Sequence, residues 1–191
     1  MQRILWELEY QDAPKVIRHC QKCGTKTHYG SSGLFRVNAQ KKSLDIWLIY
    51  RCDVCDHTWN AEIYTRIKPG KLSEEQLERF HRNDPALSQS YAMNTEWLQR
   101  LQAEIILPDY SVTGNIPAGA GPFEVRIVNS CMLPYKISAV LRDKLCLSQR
   151  EYIKMLERGE LAGQGGEDLR RGKLPKEIKI MVGVTGMARG R

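Results

Sequence analysis

Four of the six cysteines form two Cys-x-x-Cys pairs, Cys20/Cys23 and Cys52/Cys55. Two thiolates on one tight turn supply half of a tetrahedron around a soft divalent ion. A second such turn completes it. Gly24 directly follows the first pair and permits a turn that aims backbone N–H groups at sulfur. These four residues therefore read as ligands of one structural Zn2+, with no coordination position left open for catalysis. A thioredoxin-like redox pair is the competing chemistry, but it needs a pair that opens a helix in a βαβ setting, and neither pair has one. Unliganded core thiols are the other alternative. His19 and His57 stand beside the pairs and are alternative ligands in place of a cysteine. Cys131 and Cys146 lie among apolar residues at unrelated spacing and read as core thiols.

Strands must position the pairs. Leu44, Ile46 and Leu48 alternate with Trp47 and Ile49, so 44–50 reads as a central strand with apolar side chains on both faces. Thr58–Thr65 alternates as a half-buried strand, which makes Cys52–Cys55 the turn of a hairpin. Residues 3–8 and 34–38 are further strand candidates. Asp45 and Trp47 are read as architectural, with Asp45 accepting hydrogen bonds from a neighbouring turn and Trp47 buried.

Beyond the cysteines the pattern changes to helices. Ser73 and Gln76 form a capping box, with Leu72 and Leu77 placed to staple it. Asp84-Pro85 reads as an N-cap and first helical residue, and Leu87, Tyr91, Leu98 and Leu101 continue at helical spacing. Proline and glycine punctuate 108–122 as a loop or linker. Phe123–Val128 reads as a strand. Ser138–Cys146 and Ser148–Arg158 read as two short helices, the second opened by the Ser148/Glu151 capping box and closed by Gly159. Glu177–Val182 reads as a final strand. The expected fold class is α+β. It comprises a four-cysteine zinc ribbon (1–70), a helical connector (71–107), a loop or linker (108–122) and a C-terminal α/β module with a basic tail (123–191).

The net charge is +7, distributed as +3 over 1–66, −2 over 67–134 and +6 over 135–191. A basic end suggests a polyanionic partner, nucleic acid first. Arg150, Lys154 and Arg158 recur every four residues and share one helix face. Like charges at that spacing repel by a few tenths of a kcal/mol per pair, roughly, and a phosphate backbone relieves the repulsion. Arg142, Arg170, Arg171 and Lys173 extend the patch. The plainer alternative is a solvated face on which Glu151 and Glu157 partner Lys154. Arg36–Lys42 is a second candidate surface, or else a polar hairpin turn. No cluster with acid–base spacing appears, and Asp45 and Glu62 are isolated strand residues, which weighs against the rival reading of an enzyme on nucleic acid or nucleotides without closing it. The longest apolar run, Ile46–Tyr50, is too short to span a bilayer. The N-terminal segment carries acids where a signal peptide needs an apolar stretch. The expected location is the cytoplasm, where paired cysteines stay reduced and available to metal.

Phe35–Ala39, Leu44–Cys52 and Thr58–Asn60, together with Arg18-x-Cys20-x-x-Cys23 and Asn83-Asp84, resemble an uncharacterised bacterial family, domain of unknown function 1062. No activity comes with that resemblance. Val140, Leu145, Leu147 and Ser148, followed by Leu156, Gly159, Glu160 and Leu161, resemble the S4 RNA-binding module. Gln149 stands where that module usually carries arginine, and Gly163-Gln164-Gly165-Gly166 replaces its Val-Asn-Gly. The S4 resemblance implies two short helices followed by strands, presenting a basic surface to structured ribosomal or transfer RNA. The function expected is thus a non-enzymatic RNA-binding accessory protein. The alternatives are a DNA-binding regulator with a helix-turn-helix at 138–158, and a module whose basic patch binds an acidic protein. The oligomeric state is not legible.

Overall fold

A computed structural model describes residues 1–40, 43–117 and 121–183. Lys41, Lys42, residues 118–120 of the expected 108–122 linker and the end of the basic tail from 184 lie outside the described residues. Five strands come first: β1 (Gln2–Tyr10), β2 (Lys15–Cys20), β3 (Thr25–Gln40), β4 (Ser43–Cys52) and β5 (Thr58–Ile67). Three helices follow, α1 (Glu74–His81), α2 (Pro85–Ala92) and α3 (Thr95–Arg100), then β6 (Glu104–Ile106), β7 (Tyr110–Thr113) and β8 (Phe123–Val128). The chain continues with α4 (Ile137–Leu145), α5 (Gln149–Glu157), β9 (Leu161–Gly163) and β10 (Glu177–Val182). The architecture is α+β, and no helix among the described residues is long and apolar enough to cross a membrane.

The strands form two five-stranded sheets, and the chain divides into two units, one of Gln11–Asp109 and the other of Met1–Tyr10 with Tyr110–Arg191. These boundaries differ from the ones expected in sequence. β1 does not join the cysteine-bearing sheet. It runs parallel to β8 from Gln2↔Phe123 to Glu7↔Val128, and antiparallel to β7. Such long-range pairing leaves no mark on local periodicity. The helices α1 to α3 are likewise no separate connector, because their apolar faces complete the core of the Gln11–Asp109 unit.

In the first-and-last unit the strand order is β7-β1-β8-β10-β9. Alternation puts Trp6, Leu8, Val125, Ile127, Ile178 and Ile180 on one face, where α4 and α5 cover them with Val140, Leu141, Leu145 and Tyr152. Each such aliphatic side chain removed from water contributes about 1.5–3 kcal/mol. The capping box of α5 forms in both directions: Glu151 N–H donates to Ser148 Oγ, and Ser148 N–H donates to the Glu151 carboxylate. β7 lies within the stretch expected to be loop. Its four residues are too few to show alternation, and pairing with β1 makes the strand. Gly114 ends it at φ +92°, where a Cβ would stand 2.1 Å from the Leu5 carbonyl oxygen. Only glycine fits there.

The other unit has the order β5-β4-β3-β2-β6, all antiparallel. β4 is its axis. Leu44, Ile46, Leu48 and Tyr50 are buried while Asp45, Trp47 and Ile49 are half-buried, which agrees with the alternation except that Trp47 is not fully enclosed. The helices pack on the Leu44–Tyr50 face through Phe80, Ala92, Trp97 and Leu98. Phe35 meets Phe80 edge to face at 4.9 Å, and Trp97 Nε1–H donates to the Glu62 carbonyl at 3.0 Å. Ser73/Gln76 closes its expected capping box, and Asp84 accepts from Leu87 N–H as N-cap of α2. Asn94, which interrupts the apolar spacing, is the N-cap of α3.

Candidate functional site

The two cysteine pairs sit on matching turns. One joins the end of β2 to the start of β3, the other the end of β4 to the start of β5. In each, the residue after the second cysteine has left-handed backbone, Gly24 at φ 70° and Asp56 at φ 58°. Its N–H donates to the carbonyl of the first cysteine: Gly24 to Cys20 at 2.9 Å, Asp56 to Cys52 at 3.0 Å. Aspartate tolerates this conformation better than most residues, which is why the second turn lacks a glycine signal. The strands bring the turns together, since Tyr29 of β3 pairs with Cys52 of β4.

All four sulfurs lie within 4.8 Å of one another. Cys20 and Cys55 are 3.5 Å apart and Cys23 and Cys52 are 3.9 Å apart. A tetrahedral zinc with Zn–S bonds near 2.3 Å requires sulfur–sulfur separations of about 3.8 Å. The donor set fits such an ion, and the cluster contains no histidine. His57 instead contributes backbone: its carbonyl accepts from Cys52 N–H at 2.9 Å.

The surroundings favour thiolates unequally. The Tyr29 hydroxyl donates to Cys20 and brings its thiol down to about 6. Burial works against ionisation at Cys52, yet the Thr27 hydroxyl, 3.2 Å away, and the N–H groups of Val54 and Cys55 hold it below the ordinary value. Sharing a hydrogen bond with Cys55 pushes Cys23 up to about 12. At Cys55 the His57 N–H favours the thiolate, but burial and the neighbouring sulfurs outweigh it and raise the thiol. Four sulfurs this close cannot all ionise alone, because each thiolate disfavours the next. A dication removes that conflict. Thr27 and Tyr29 went unnoticed in the sequence, since their approach to sulfur depends on strand register.

Cys131 and Cys146 correct the sequence reading. Cys131 is half-buried and Cys146 exposed. Cys146 occupies the left-handed C-cap of α4 at φ 53°, which turns it away from the apolar face.

The basic residues are placed unevenly. Arg150, Lys154 and Arg158 are all exposed along α5, while Tyr152 beneath them is buried and donates to the Leu169 carbonyl at 2.6 Å. Arg158 lies 3.9 Å from Glu160. Arg170 reaches the same helix through Glu157 at 3.6 Å. Arg170 and Arg171 hold their turn by donating backbone N–H to Asp168 Oδ1. Lys173 bridges through its backbone to Lys136, just before α4. Arg142 is half-buried, with a buried Nε that has no hydrogen-bond partner among the described residues, so it faces the protein more than solvent. Lys144, not singled out in the sequence, is spent on structure: its ammonium donates to the Val112 and Gly114 carbonyls at 2.6 and 2.7 Å. Asp45 accepts from Arg66 N–H at 2.7 Å, so its partner is a left-handed residue within β5 and not a neighbouring turn.

A family model described as a protein of unknown function, DUF1062, matches residues 37–166, more than half of the chain. The match takes in the second cysteine pair and both α4 and α5. No curated protein and no solved structure matches.

Proposed function

The chain belongs to the DUF1062 family, and for it we propose a non-enzymatic RNA-binding accessory protein of the cytoplasm, built around a structural zinc. The Gln11–Asp109 unit carries a zinc ribbon: two thiolate turns at the ends of neighbouring hairpins, whose sulfurs all lie within 4.8 Å of one another. The other unit carries an S4-like module. Support for this comes from two short helices followed by the antiparallel pair β9–β10, the element order the sequence resemblance implies.

The observation that carries the RNA reading is the row Arg150, Lys154, Arg158. All three are exposed, Arg150 and Lys154 on α5 and Arg158 at its C-cap, while the opposite side of that helix is anchored in the core. An anchored helix presents its cations at fixed spacing, which suits a rigid phosphate backbone. Arg170 and Arg171 lie in the turn that follows, and Lys173 beyond it. Arg142 contributes less, because its guanidinium is partly enclosed.

One observation favours a second reading, a DNA-binding helix-turn-helix. α4 and α5 are joined by only three residues, and Gln149 and Arg150 stand exposed at the start of α5, where base-reading residues sit in that motif. Titration of the full chain against a folded RNA hairpin and a DNA duplex of equal length separates the two. Preference for the hairpin supports the S4-like reading. Preference for the duplex moves the argument to the helix-turn-helix, and binding to neither leaves an acidic protein as the partner.

A further inference from the structure

We infer that the helix-free face of the cysteine-bearing sheet is a stacking platform for an unpaired RNA base, centred on Trp47. This rests on the RNA-binding reading and adds to it a second contact of different chemistry.

The chain has four tryptophans, and three are engaged. Trp6 Nε1–H donates to the Asn115 carbonyl at 3.0 Å. Trp97 donates to Glu62 and packs edge to face on Tyr91 at 5.4 Å. Trp59 packs at a tilt of 48° against Tyr50 at 5.3 Å and carries the Arg18 guanidinium 4.1 Å above its ring. Trp47 alone has no hydrogen bond, ring contact or cation on its face among the described residues, and it belongs to neither apolar core. A half-buried indole on a central strand with nothing stacked on it has a π-surface that a stacking partner can cover.

The neighbours on that face point to the partner. Register places Arg36 of β3 and Glu62 of β5 directly across from Trp47, and Gly30 and Thr58 across from Arg51. Arg36 and Arg51 are exposed, and neither lies within ion-pair distance of a carboxylate among the described residues. Elsewhere in this unit Lys15 pairs with Asp53 at 2.8 Å and Lys26 with Glu104 at 3.4 Å. Asn60, across from Ile49, has a buried Oδ1 without a hydrogen-bond partner, and Asn38 stands across from Asp45. A half-buried, unstacked indole, two arginines outside any ion pair and two amides on adjoining strands match the needs of single-stranded RNA: a π-surface for the base, cations for phosphate, and donors and acceptors for the base edge. Glu62 and Asp45 are the acids flanking the indole on this face; Asp45 accepts from Arg66 N–H, and Glu62 suits a base amino group rather than a phosphate.

The test uses the full chain with metal bound and two probes, a 12-nucleotide single-stranded RNA carrying 4-thiouridine and the same strand in a perfect duplex. Trp47→Ala is expected to weaken single-strand binding about 5- to 150-fold, the span of base–aromatic stacking, and to leave duplex binding unchanged. Trp47→Phe is expected to restore most of the loss, and photocrosslinks are expected on the peptide containing Trp47. Arg51→Gln, which leaves the indole in place, is expected to lower the salt slope on the single strand by about 0.7. Equal single-strand affinity for Trp47→Ala and wild type, with metal content retained, overturns the platform even while an α5 variant still loses duplex affinity. Loss of both probes alike in Trp47→Phe, with the fold intact, overturns it too. Absence of binding to either probe by wild type removes the RNA reading itself.

Discussion

Removing the metal should unfold one unit and spare the other. Cys20 and Cys52 are 0% and 1% exposed and belong to the core of the Gln11–Asp109 unit, so an ion held by the four cysteines would join the ends of β2 and β4 through the buried side of the sheet. Structural zinc in four-ligand peptide sites contributes apparent binding energies of about 10–16 kcal/mol near neutral pH. A domain of this size has a total stability of about 5–15 kcal/mol. The ion's contribution therefore matches or exceeds what holds the unit together, and chelation should release β2 to β5. The Met1–Tyr10 and Tyr110–Arg191 unit has its own core and should stay folded. Hydrogen exchange read by mass spectrometry, before and after a strong chelator, resolves the two units separately. The expected result is protection lost across β2–β5 and retained in β1, β8 and β10. Cys52→Ser should reproduce it, whereas Cys146→Ser, at an exposed helix cap, should change nothing. Protein purified without metal that keeps full protection in β4 would refute the reasoning.

Other expectations follow from single side chains. Ser148→Ala removes the hydroxyl that accepts from Glu151 N–H and should cost about 1 kcal/mol, read as a lower denaturant midpoint with unchanged slope. Leu48→Ala empties a fully buried position on β4 and should cost about 2–5 kcal/mol, with the loss confined in exchange measurements to Gln11–Asp109. Arg79, then Leu87 N–H and Arg82, hold the Asp84 carboxyl at about 2 against an ordinary 3.8. A carboxyl lowered in the folded state contributes fully above the unfolded value and loses that contribution as pH falls from about 4 toward 2. The stability difference between wild type and Asp84→Asn should therefore be constant above pH 5 and shrink below pH 4, as followed by denaturant unfolding across that range.

Legibility in the sequence followed the range of the interactions. Capping boxes at Ser73 and Ser148, the N-cap at Asp84 and the strands Phe123–Val128 and Glu177–Val182 are local, so residue type and spacing suffice. The four cysteines were legible for the same reason: each pair is a turn with its own geometry. What stayed hidden depends on partners far along the chain. β1 joins β8 across more than a hundred residues, β7 becomes a strand only because β1 is beside it, and Thr27 and Tyr29 reach sulfur only once β2, β3 and β4 are in register. Cys146 was misplaced because apolar neighbours in sequence do not reveal a left-handed cap. Trp47 reads as a core residue from its strand alone, and only the position of the helices shows that it faces the other way.

The central claim is that α5 contacts RNA phosphates, and the salt dependence of binding tests it most directly. Arg150, Lys154 and Arg158 are exposed; Arg158 lies 3.9 Å from Glu160, and Lys154 acts through space on the Glu151 carboxylate. If each meets one phosphate, together they supply about 2.7 units of the log–log slope. Wild type should then lose roughly 40-fold more affinity than the triple alanine variant over a fourfold rise in salt. The expected measurement is a slope flattened by two to three units on a folded RNA, with thermal stability unchanged, since exposed charges contribute little. Equal slopes for the two proteins would contradict the account.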